Sequence, residues 1–96
     1  MHATIRSYTD PGLADMLASN KDDVEALIGA VPGVQSYFLV RTSDGCTSIT
    51  VGDDDTATTA SSKAAADFLR SKGATATTPT VVSGEVLATV GTRVTA

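Results

Sequence analysis

Few side chains in this 96-residue chain have types and spacing suited to chemistry. Asn20 is the most informative. It lies between Leu17 and Val24 on what reads as the apolar stripe of a helix, and a buried amide must find partners or cost about 1–3 kcal/mol. It could contact a ligand in a cleft, bond a backbone carbonyl, or cap a second helical segment, with Asp23 three residues on as in a capping box. The unbroken phase of the stripe favours one continuous helix. Asp53, Asp54 and Asp55 form an acidic run. A calcium loop starting at Asp53 would need Gly at 58 and Glu at 64, where the chain has Thr58 and Ala64. The run instead suits a helix start, where negative charge contributes about 0.3–1 kcal/mol, and no metal is expected. Cys46 has no neighbouring base in sequence to lower its pKa. His2 stands alone at the N-terminus, and Ser61-Ser62 lacks any nucleophile arrangement.

The elements that must position these residues follow from periodicity. Residues 2–8 alternate as a strand. Asp10-Pro11 suits a helix start, since Asp accepts from free amides and Pro lacks the N–H that would go unpaired. A helix is predicted over residues 11–31. At about 100° per residue, Leu13, Met16, Leu17, Val24, Leu27, Ile28 and Val31 share its stripe, and Pro32-Gly33 ends it. Strands are predicted over 34–42 and 46–52, joined by an Asp44-Gly45 turn with positive φ. That turn would set Val40 opposite Ile49 and Phe38 opposite Val51. A second helix is predicted over 56–72, with a stripe of Ala57, Ala60, Ala64, Ala65, Phe68 and Leu69, closed by Gly73. Residues 74–80 read as a linker and 81–90 as the last strand. The order is β-α-β-β-α-β, a single α+β domain over residues 1–96.

Both faces of the implied sheet need covering. Ala3, Ile5, Phe38, Val40, Ile49, Val51, Val82, Val86 and Val90 form one apolar surface, which the two helices are expected to cover at roughly 1.5–3 kcal/mol per large side chain. The other face carries Arg6, Tyr8, Tyr37, Leu39, Arg41, Thr50, Glu85 and Leu87. It is too apolar to lie wet and too polar for an ordinary core. A second copy packed sheet to sheet would satisfy it, so Arg6, Tyr8, Tyr37, Leu39, Arg41, Glu85 and Leu87 are candidate interface residues of a homodimer.

Composition narrows the partners. The formal net charge is −4, and seven Lys and Arg are spread along the chain. Nucleic acid is therefore not expected as a partner. No apolar run approaches the ~20 residues that span a bilayer. The N-terminus lacks a basic region followed by an apolar stretch, and one cysteine cannot form an intrachain disulfide. The expectation is a cytoplasmic protein with no membrane partner.

The strings "ATIRSY", "VPGVQSYFLVRTSDGCTSITVGDD", "AAADFL" and "GEVLATV" together resemble the dimeric α/β-barrel superfamily, most of all its small uncharacterised bacterial members. The resemblance covers nearly the whole chain. That group includes antibiotic-biosynthesis-type monooxygenases, haem-degrading proteins and stress-responsive proteins. It implies a ferredoxin-like monomer, two sheets closing a barrel at a dimer interface, and ligands in the cleft between helices and sheet. Carried over, that cleft lies between the Phe38 face and the helices, with Asn20, Phe38 and Phe68 as candidate ligand-binding residues. The monooxygenases of the group use a Trp with polar partners, and this chain has none. The haem-degrading members use a His ligand, and the one His here is His2. Two functions of different class follow. One is a dimer that binds a small apolar molecule without a cofactor, because the expected inward face holds no titratable group for acid–base work. The other is a cofactor-independent monooxygenase-like enzyme.

Overall fold

The computed structural model describes residues 1–74 and 78–90. Along the chain run β1 (His2–Tyr8), α1 (Pro11–Ser19), α2 (Lys21–Gly29), β2 (Val34–Thr42), β3 (Gly45–Gly52), α3 (Asp55–Ser71) and β4 (Thr80–Glu85). Aspartates start two of the helices. Asp10 accepts from the Leu13 N–H at 3.1 Å with Pro11 at the first helical position, and Asp54 accepts from the Ala57 N–H at 3.0 Å. The strands form one antiparallel sheet in the order β2-β3-β1-β4. β1 and β2 both run antiparallel to β3, which lies between them, so the α1–α2 segment is the crossover of a split β-α-β unit. This is an α+β, ferredoxin-like arrangement with the helices on one face of the sheet.

The expected single first helix is two. At Asn20 the backbone leaves helical geometry (φ −116°, ψ 24°). The Asn20 N–H donates to the Leu17 and Met16 carbonyls, and its Nδ2 donates to Met16 O at 2.8 Å. The side chain thus closes the last turn of α1 instead of capping α2, which has no side-chain cap bond. The apolar stripe keeps its phase across the break: Leu13, Leu17, Val24 and Ile28 are all buried.

The hairpin register also differs. Thr42 pairs with Gly45 and Phe38 with Ile49, so the turn residues are Ser43 and Asp44. Gly45 is not in the left-handed region, unlike Gly33 (φ 88°) and Gly73 (φ 73°). Its lack of a side chain serves a close approach, because a Cβ there would collide with the Tyr8 carbonyl oxygen. The displacement is two residues, so no side chain changes face. β4 stops at Glu85, not at residue 90, because its partner strand runs out. His2 pairs with Glu85, and one last bond joins the Val86 N–H to Met1 O at 2.9 Å.

The largest correction concerns the two faces of the sheet. The helices cover the Thr4, Arg6, Tyr8, Tyr37, Leu39 side, and the more apolar side is open. Ile5, Phe38, Val40 and Val82 are 38%, 56%, 44% and 59% exposed, whereas Arg6 and Tyr8 are 7% and 5% exposed. Side-chain size supplies the reason. On central strand β3 the covered positions are Cys46, Ser48, Thr50 and Gly52, all buried. A Cβ at Gly52 would lie 2.8 Å from Ala57 Cβ, so α3 rests directly on the sheet there. Ile49 and Val51 on the other side would hold a helix away. On α3 the buried row includes Thr58 and Ser61 rather than Ala60. Their hydroxyls donate to Asp55 O at 3.2 Å and Thr58 O at 2.8 Å, which satisfies them inside the helix.

Candidate functional site in the helix–sheet cleft

With the faces assigned this way, the cleft between helices and sheet has a polar floor and apolar walls. Alternation along β1 sends Arg6 and Tyr8 into it. β2 adds Tyr37 and Leu39, and β3 adds Ser48. The walls are Leu17, Val24, Leu27 and Ile28 from α1 and α2, and Ala65, Phe68 and Leu69 from α3. The cavity is small, about 20 Å³, enough for one water molecule. Arg6, Tyr8 and Leu69 also border a larger groove of about 200 Å³, completed by Ser62, Ala66, Arg70, Ala74 and Pro79. Arg6 and Tyr8 therefore connect an inner cavity to an outer groove.

Two buried polar atoms at this floor have no hydrogen-bond partner among the described residues: Arg6 Nε and Ser48 Oγ. The ion pairs among those residues are Arg41–Asp15 at 2.7 Å, Lys63–Asp67 at 3.0 Å and Arg70–Asp67 at 2.7 Å, and none involves Arg6. Burial raises the pKa of the Tyr37 hydroxyl. The Arg6 charge pulls it down by less, and Tyr8 and Cys46 add small upward contributions. Tyr37 is thus a neutral phenol near pH 7, able to donate. Burial likewise raises the Cys46 thiol, with Asp10 adding to the rise and Arg41 opposing it, so no reactive thiolate is presented. Among the described residues neither a carboxylate nor an imidazole lines the cavity. The arrangement can hold a hydrogen-bond acceptor or an anion against an apolar body, and it offers no ordinary general base.

The sequence-based candidates separate accordingly. Of the three ligand candidates, Phe68 lines the cavity. Phe38 lies on the open face. Asn20 is half-buried, is bonded to Met16 O, and is not among the lining residues. Of the interface candidates, Arg6, Tyr8, Tyr37 and Leu39 line the cleft. Arg41 reaches Asp15 of α1. Glu85 ends β4 opposite His2, and Leu87 beyond it is 88% exposed. The expectation that the inward face lacks titratable groups is overturned by Arg6, Tyr8 and Tyr37. A usable signal was present: the run of small residues at alternate positions of β3 marks the side that helices approach. His2 turns toward the helices, with Nδ1 2.8 Å from Thr58 Oγ1, away from the cavity.

No protein-family model matches the chain, and no curated protein matches its sequence. Solved structures do match its fold. A protein of unknown function from Nitrosomonas europaea, NE2512, superposes with a TM-score of 0.72 at 20% identity, over 96% of this chain and 93% of that one. An arginine-to-serine mutant of MhuD with two manganese protoporphyrin IX molecules bound per active site gives 0.68 at 19% identity, over 95% and 99%. A dimeric ferredoxin-like protein from an uncultured marine organism gives 0.61 at 10% identity, over 93% and 94%. The chain shares its ferredoxin-like fold with these structures.

Proposed function

We propose that this protein is a homodimer that binds a small, largely apolar molecule in the cleft between helices and sheet. The observation that carries the reading is the polar floor of an otherwise apolar cleft. Arg6, Tyr8, Tyr37 and Ser48 converge there beneath walls of Leu, Ile, Val and Phe. A few placed polar groups in an apolar lining are the usual composition of a small-molecule site. The dimer reading rests on the open face. Ile5, Phe38, Val40 and Val82 present a contiguous apolar surface on one side of the sheet, of a kind that marks an interaction site. A similar fold is dimeric in the ferredoxin-like protein from the marine organism, and the second copy would close a barrel. Native mass spectrometry of protein taken from its own cells tests both parts. The expected result is a dimer mass with a retained small molecule that departs on denaturation. A monomer mass with no adduct counts against the reading.

The cleft does not fit a porphyrin of the kind that MhuD holds. The cavity is about 20 Å³ and His2 is bonded to Thr58 outside it, so these residues do not suit a haem. One observation favours a second reading, a cofactor-independent monooxygenase-like enzyme. A guanidinium beside two phenols in a largely apolar cleft is suited to stabilise an oxyanion developing on a bound substrate. Oxygen-dependent turnover of a quinol-type or polyketide-type substrate separates enzyme from binder.

A further inference from the structure

Among the described residues, Arg6 is a cation without a counterion. It is 7% exposed, no ion pair among the described residues includes it, and its Nε has no acceptor. A buried charge is costly unless paired and hydrogen-bonded. Across the β1–β3 ladder its Cα partner is Ser48, whose hydroxyl is also buried and unpartnered. The Tyr8 and Tyr37 rings flank the same floor. Each of these groups can donate, and among the described residues no carboxylate lines either the inner cavity or the outer groove to accept from them. The molecule has thus assembled the donor half of a recognition site.

We propose that the ligand of this cleft is an apolar carboxylic acid, its carboxylate held by the Arg6 guanidinium and the Ser48 hydroxyl. The proposal rests on the small-molecule reading above and names its chemical class. The planar guanidinium offers parallel N–H donors that match the two oxygens of a carboxylate. Ser48 supplies a third donor. The apolar body then lies along Leu69, Ala66 and Pro79 in the adjoining groove of about 200 Å³. Burying the head in this low-dielectric floor strengthens the contact and neutralises the charge that the fold leaves exposed to nothing. A neutral analogue of equal shape gains the apolar contacts without discharging Arg6.

The test compares 2-naphthoate with 2-naphthamide, which have nearly the same shape and differ in charge, by calorimetric titration of the full chain. The expected result is at least tenfold tighter binding of the acid. Arg6→Met should remove that preference, weakening the acid far more than the amide. Should Arg6→Met fail to fold, Arg6→Lys keeps the charge without the fork and should weaken the acid alone. A rise in melting temperature with naphthoate, absent in the variants, gives a second readout. Equal binding of acid and amide would overturn the carboxylate proposal and leave the small-molecule reading intact. Binding of neither would overturn both.

Discussion

Arg6 and Ser48 face each other across β1 and β3, and each buries a polar atom with no partner among the described residues. Two such groups side by side weaken the ligand-free fold, since an unsatisfied buried donor costs about 1–3 kcal/mol. A site that is incomplete until occupied explains their presence better than packing does. An all-apolar floor would pack as well and carry no penalty.

Ser48→Ala should therefore leave the ligand-free protein as stable as the parent or more so, by up to about 1 kcal/mol. Arg6→Met should stabilise it by roughly 1–3 kcal/mol, since an apolar side chain of similar length replaces a buried unpaired charge. Urea unfolding with an unchanged m-value measures both. A loss of more than 1 kcal/mol in either variant would mean that these groups are satisfied in solution.

The order of elements along the chain and the presence of the β2–β3 hairpin were legible in the sequence because periodicity and caps report local geometry; the split of the first helix and the hairpin register were not. The grouping of residues by sheet face was legible too, since alternation is strict. Which group faces the helices was not. Both faces hold enough apolar surface to be buried, so hydrophobicity ranks them without deciding, and the apolar one was assigned to the helices. The decisive residues were the small ones on β3, Cys46, Ser48, Thr50 and Gly52, which admit close helix approach. That single inversion exchanged Phe38 for Tyr37 and Arg6 in the cleft. The role of Asn20 was open among three readings, with one continuous helix favoured, for a different reason. An amide can serve the helix before it or the helix after it, and only the geometry at Met16 O selects the first.

The open sheet face yields a prediction on assembly. Phe38 is 56% exposed and pairs with Ile49 in the middle of the sheet. A carboxylate there would have to be desolvated in any sheet-to-sheet contact. Phe38→Glu should give a particle of one chain mass, 9.7 kDa, by sedimentation equilibrium, where the parent gives twice that. Because Phe38 points away from the cleft, 2-naphthoate binding should persist at similar affinity. If parent and variant sediment alike, the face is not an interface.

Gly45 carries a sharper stability prediction than its turn position suggests. Its neighbours are backbone atoms of Tyr8, at the end of β1, and of Asp10 just beyond it, not a flexible side chain. Gly45→Ala forces the hairpin end away from β1 and should cost about 3 kcal/mol, in the range of a core overpacking. Gly29→Ala meets no atom within 4 Å at the last residue of α2, so it should gain up to about 0.5 kcal/mol. The two variants compared by urea unfolding separate close approach from loss of glycine in general.

The pH response of Tyr37 tests the cleft itself. Burial is the largest influence on its hydroxyl and raises the pKa above the ordinary value of 10.0, while Arg6 opposes the rise. The folded state therefore keeps the proton at a pH where the unfolded chain has released it. The corresponding stability is present in full below pH 10 and is lost as pH rises through the folded value. The chain has two tyrosines, so Tyr8→Phe leaves Tyr37 as the one phenol. Its ultraviolet phenolate absorbance should appear above pH 10.0 in buffer and return to the ordinary value in concentrated urea. Removing the Arg6 charge in Tyr8→Phe/Arg6→Met should push the native titration higher still, because the one influence that favours phenolate is gone. A native titration at the ordinary value in both proteins would show that water reaches Tyr37, and the cleft would then be too open to hold an apolar ligand dry.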